Sequence, residues 1–167
     1  MKKSISTDQT ADNITKVIQI LTDAPAKFES LSKGLSDKQL HQPLGSGERS
    51  FHEMLAHVIN CEARASEAIY SAVLVDEPLF IRIHAERELG QLLRFDLLPF
   101  ADLIAYFKLR RTVLLRTLKS LTEKQWARTI REEQKQRKES VYWQARGQAM
   151  HELEHLTDLE GKLKKLK

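Results

Sequence analysis

The sharpest chemical spacing in the chain lies near its C-terminus, in His151-Glu152-Leu153-Glu154-His155. Two histidines four positions apart on a helix stand one turn apart on the same face, where both imidazoles can reach one metal ion. The segment also spells HExxH, in which a zinc protease uses the glutamate as general base and takes a third ligand downstream. Here the extended form of that motif would need Gly and His where the chain has Asp158 and Gly161. No strand-rich segment precedes the helix to line a peptide. The pair therefore points to metal binding more than to proteolysis.

A metal on His151 and His155 needs a further ligand, and His41, His52, His57, His84 and nearby carboxylates are the candidates. His57 is the best placed of them. It lies on the flank of an apolar stripe, one turn from Met54 and from Cys61, while His151 and His155 share one flank of a leucine stripe. Three flank histidines from two helices can meet in a groove, or all three can face water; spacing leaves both open. Cys61 offers a fourth ligand or a redox thiol, although a lone cysteine on an apolar stripe is more commonly core packing. Glu62, Glu152 and Glu154 offer a general base or an orienting partner for a ligand histidine, against the plainer expectation that most are solvated. Arg110 and Arg111 could meet an anionic substrate, but salt bridges between helices are the commoner use. Trp126 and Trp143 read as packing.

Four segments with the apolar spacing of amphipathic helices must position these residues, and none shows a sustained period of two. Ile14, Val17, Ile18, Leu21, Phe28, Leu31 and Leu35 place a first helix over roughly 9–34, with Pro25 expected to bend it and Gly34 to help end it. A short polar connection containing Pro43, Gly45 and Gly47 leads to Ser50 and Glu53, whose spacing is that of a capping box. The second helix starts there and fades near Asp76 and Pro78. Residues 79–96 read as a crossover with partial helical content. The third helix follows from about Pro99 to Ser120, and Thr122 with Gln125 repeats the capping-box spacing ahead of a short helix ending near Trp126. The polar stretch 128–139 reads as a solvated loop. The last helix runs from about Ser140 into a lysine-rich end that suits the negative pole of its dipole. The expected fold is all-α: a four-helix bundle whose long crossover lets the second and third helices run parallel.

The run Arg49-Ser50-Phe51-His52-Glu53-Met54-Leu55-Ala56-His57 resembles the second-helix signature of the DinB-like (YfiT-like) superfamily, with Arg49 where a tryptophan is usual. The likeness continues through Tyr106-Phe107-Lys108-Leu109-Arg110-Arg111, through Leu118 to Trp126, and into the paired histidines of the last helix. It implies an up-down-down-up DinB-like bundle and a divalent metal held by His57, His151 and His155. Such a centre keeps a position open for water, a thiolate or a carbonyl oxygen, which suits a metal-dependent hydrolase and a thiol-dependent transferase equally. Zinc, nickel, iron and manganese are all compatible with imidazole ligands. The implied partner is a small-molecule substrate, including a low-molecular-weight thiol. The alternative is a non-catalytic binding or stress-response protein that keeps the fold.

Composition bounds these readings. With 167 residues, 41% of them apolar, the chain can bury its own core, and one domain over 1–167 is expected. Only 6 Gly and 4 Pro exclude collagen-like and low-complexity classes. The formal charge of +4 is spread, because Glu132, Glu133, Glu139, Asp158 and Glu160 interrupt the basic stretches, so no nucleic-acid partner is expected. The single Cys61 excludes an internal disulfide and multi-cysteine zinc motifs, which fits a reducing, cytoplasmic setting. The polar residues after the basic N-terminal start are not those expected of a signal peptide, and no apolar run approaches the roughly 20 residues that span a bilayer. Apolar residues off the main stripe, such as Val113 and Leu115, suggest a homodimer.

Overall fold

The computed structural model describes residues 4–165 except Arg82, Gln134 and Gln136. Helix α1 covers Ala11–Ser32, with the Thr10 side chain accepting the Asn13 amide at its start. The helix continues through Pro25, which is buried. Gly34, at φ +82, turns the chain away in the left-handed region that glycine enters without strain. Within the expected polar connection the structure adds a short helix, α2 (Asp37–His41), opened by a Ser36–Gln39 capping box and docked through Leu40.

Helix α3 (Phe51–Leu74) begins where the sequence places it. The Ser50 hydroxyl accepts the Glu53 amide at 3.1 Å, and the Glu53 carboxylate accepts the Ser50 amide at 2.8 Å. The crossover then holds strand β1 (Leu79–Phe80), a π-helical turn (Ala85–Gly90), the short α4 (Gln91–Leu93) and a 3-10 turn (Phe95–Leu97). Helix α5 (Phe100–Ser120) and the short α6 (Glu123–Trp126) follow, the latter with its Thr122–Gln125 capping box.

The stretch 128–139 departs from expectation. It forms strands β2 (Thr129–Glu132) and β3 (Lys138–Ser140), paired antiparallel, with β1 added parallel to β2. The inward positions of β2 are Ile130 and Glu132, both buried. Glu132 is compensated by Arg64 at 2.7 Å and Lys135 at 2.8 Å, and Glu139 by Lys135, Arg137 and Gln144. An inward-facing carboxylate hides the period of two that would have marked the strand. Helix α7 (Val141–Lys165) starts with the Ser140 hydroxyl accepting the Trp143 amide.

The core falls into two apolar clusters, and their membership fixes the direction of every long helix. One cluster takes Phe28 from the end of α1, Phe51 and Leu55 from the start of α3, Leu103 and Phe107 from the start of α5, and Leu156 and Leu159 from late α7. The other takes Val17, Ile69, Leu118 and Tyr142 from the opposite ends of the same helices. Thus α1 and α7 run one way and α3 and α5 the other, the up-down-down-up bundle that the long crossover permits. Between the clusters lie Glu62, Arg111 and Glu152, each fully buried or nearly so.

Candidate metal centre

The middle turns of α3 and α7 face each other, and three imidazoles converge there. His151 Nε2 stands 3.1 Å from His57 Nε2 and 2.9 Å from His155 Nε2. Metal–imidazole bonds of about 2.0–2.1 Å put two nitrogens on one ion about 2.9 Å apart at a right angle and about 3.4 Å apart at a tetrahedral one. Both observed spacings fall in that range. Cys61, one turn beyond His57, is half-buried with its Sγ 3.9 Å from His57 Nε2. His57, Cys61 and His151 each offer a ligand atom within 4.8 Å of the others.

Protonation favours the same use. Burial, followed by the neighbouring His155 and His57, pushes the His151 pKa down to about 4, and burial and His57 lower that of His155. Both rings are therefore neutral near pH 7, the form that donates a lone pair to a metal. His151 Nδ1 is buried without a hydrogen-bond partner among the described residues, so nothing there competes for the ring. Burial, helped by the Glu86 charge, pushes the Cys61 thiol up to about 12, so it stays protonated in the protein as it stands.

The other three candidate histidines are engaged elsewhere. His52 is buried, donates from Nε2 to the Leu98 carbonyl at 2.7 Å and stacks on His41. His41 Nδ1 donates to the Asp37 carbonyl, and His84 Nδ1 accepts the Glu86 and Arg87 amides to cap the π-helical turn.

Two carboxylates expected to be solvated are instead fully buried. Arg111 Nη2 lies 2.5 Å from Glu62 Oε2 and 2.5 Å from Glu152 Oε1, and the guanidinium also donates to the Leu21 carbonyl. Gln148 donates to Glu152 at 2.7 Å, and Arg110 Nε approaches Glu62 at 3.6 Å. Both arginines thus serve ion pairs between helices. Burial raises the Glu152 pKa against the opposing pull of Arg111, whose own pKa the two carboxylates raise despite its burial.

Glu86 is the residue at the centre that sequence reasoning missed. One of its oxygens accepts from His57 Nδ1, and the other accepts from Arg49 Nη2 at 3.2 Å. Burial alone would raise its carboxyl, but the hydrogen bond and charge of His57 and the charge of Arg49 hold it below the usual range. His57, Glu86 and Arg49 line an open cleft of about 580 Å³ together with Asn60, Gly90 and Arg94. No helix among the described residues is long and apolar enough to cross a membrane.

The arrangement is that of a known architecture. YfiT from Bacillus subtilis, described as a probable metal-dependent hydrolase with an unusual four-helix bundle topology, superposes with a TM-score of 0.85. The alignment covers 96% of this chain and 91% of that one at 14% sequence identity, a likeness of fold. No curated protein matches the chain. A family model, however, matches residues 20–159, which include α3, the crossover and both histidines of α7, and by that match the chain belongs to the DinB superfamily.

Proposed function

We propose that the protein is a divalent-metal-dependent hydrolase of small polar substrates, with His57, His151 and His155 as metal ligands through their Nε2 atoms. The observation that carries this reading is the pair of Nε2 separations, 3.1 and 2.9 Å, between rings on two helices. Held by these three imidazoles, a divalent ion would supply Lewis acidity to a water or a carbonyl oxygen beside it. The chain's own residues do the rest. α3 and α7 fix the ring positions, and the burial that keeps His151 neutral excludes bulk water from that side.

The cleft sets the substrate class. At about 580 Å³ it suits a small molecule, and Arg49 and Arg94 beside Glu53, Glu86 and Asp96 make its walls polar and of mixed sign. The YfiT description agrees with hydrolysis, and a thiol-dependent transfer would use the same open positions. The whole chain acts as one unit in the cytoplasm in this reading, with Val113, exposed on α5, available for self-association.

A panel of small esters, amides and lactones tests it, assayed with the protein after chelation and after readdition of zinc, nickel, manganese or iron. Turnover that needs metal and disappears in His151→Ala supports the reading. A metal-loaded protein inert across ester, amide and thiol substrates would turn it toward a binding role.

A further inference from the structure

We propose that Glu86, delivered by the crossover, is the positioning residue that fixes the His57 ring for metal binding, and that Arg49 holds Glu86 in place. This inference rests on the metal-centre reading above. A neutral imidazole carries its single proton on either nitrogen, and only the Nδ1–H form leaves Nε2 free as a ligand. His57 lies on α3 with its two ring nitrogens meeting different partners. The Glu86 carboxylate makes the choice, because it accepts from Nδ1 while Nε2 faces His151. A carboxylate behind a ligand histidine also increases the basicity of the ring.

Three observations indicate that this contact is built into the fold. The Glu86 carboxylate uses both oxygens, one on His57 and one on Arg49, which sits just before the first turn of α3. The turn that carries it is held at its start by His84, whose Nδ1 accepts two amides and whose own amide donates to Glu88 at 2.7 Å. The same turn is pressed against α3: a Cβ on Gly90 would stand 3.0 Å from Asn60 Nδ2 and 3.3 Å from the Ala85 carbonyl. The crossover therefore does more than span the bundle. It returns a carboxylate to the first ligand, across a separation in sequence of 29 residues.

The test uses the full chain and two readouts. Nitrogen NMR of the His57 ring, in metal-free protein above the histidine titration range, should show the Nδ1–H form in the wild type. It should show a loss of that preference in Glu86→Ala and its retention in Glu86→Gln, whose amide oxygen still accepts. Zinc affinity, measured by competition with a chelator, should fall by about 10–100-fold in Glu86→Ala, the range for such orienting partners. Arg49→Ala should produce a smaller loss, and Glu86→Gln should stay within a few-fold of wild type. An unchanged tautomer and unchanged zinc affinity in Glu86→Ala overturn the proposal, as does Glu86→Gln behaving like Glu86→Ala. If the wild type binds no zinc, the metal-centre reading fails while the NMR result still decides the role of Glu86. With the Glu86 side chain about one-third exposed on the crossover, at 34%, these variants should fold.

Discussion

Two polar clusters occupy the middle of this bundle, and adjacent residues on the same helices feed both. Cys61 and His151 belong to the cluster whose His57 lines the cleft, and Glu62 and Glu152, the next residues along, belong to the one sealed in the core. Successive side chains on a helix diverge by about 100°, so a single pair of helices can serve two environments. The sealed cluster supplies its own counter-charges, since each carboxylate meets Arg111 at 2.5 Å and Glu62 also has Arg110 at 3.6 Å. The histidine cluster does not. It gathers ring nitrogens 3.1 and 2.9 Å apart, spacings that one metal ion would span. The contrast shows how one fold keeps an ion-paired polar cluster apart from a histidine cluster fed by the same two helices.

Breaking the sealed cluster should have the largest effect. Arg111→Met leaves Glu62 and Glu152 buried without their cation and should cost about 3–5 kcal/mol of stability in urea unfolding. Replacing all three at once, with Arg111→Met, Glu62→Leu and Glu152→Leu, should recover most of that loss, because the desolvation penalty goes with the charges. The corresponding change in the open cluster, His155→Ala, should leave the metal-free protein within about 1 kcal/mol of wild type.

A bound ion should sharpen the comparison from the other side. Zinc at a hundred times its dissociation constant should add about 2.7 kcal/mol to the stability. For a chain of this size that is a rise in Tm of roughly 5–10 °C. The rise should disappear when His151 and His155 are both replaced by alanine, and it should persist in the apolar replacement of the sealed cluster.

An effect of comparable size is expected from pH. His151 has a folded pKa near 4, against 6.5 for an ordinary histidine, so the unfolded chain takes up a proton that the folded one does not. Stability of the metal-free protein should therefore fall as the pH drops through the window from about 6.5 to about 4, and the His151 contribution to that slope should vanish in His151→Ala. Denaturant midpoints across this range measure it.

The parts of this picture that were legible in the sequence share one property: their signals are local. The capping boxes at Ser50 and Thr122, the apolar stripes and the His151–His155 pair each depend on residues within a turn or two of one another. His57 was reachable because its stripe and that of α7 could be phased separately. Glu86 was not reachable in this way, because it acts across the crossover from a turn whose irregular π and 3-10 geometry has no periodic signature. The burial of Glu62 and Glu152 was hidden for a related reason. A carboxylate on a helix reads as solvated until the arginine that neutralises it, here Arg111 from a third helix, is placed beside it.

The most direct test of the central claim is elemental analysis of protein purified without added metal, beside a variant carrying His151→Ala and His155→Ala whose folding is confirmed by circular dichroism. The account predicts close to one equivalent of a divalent transition metal per chain in the wild type and none in the variant. Equal metal content in the two proteins would contradict it.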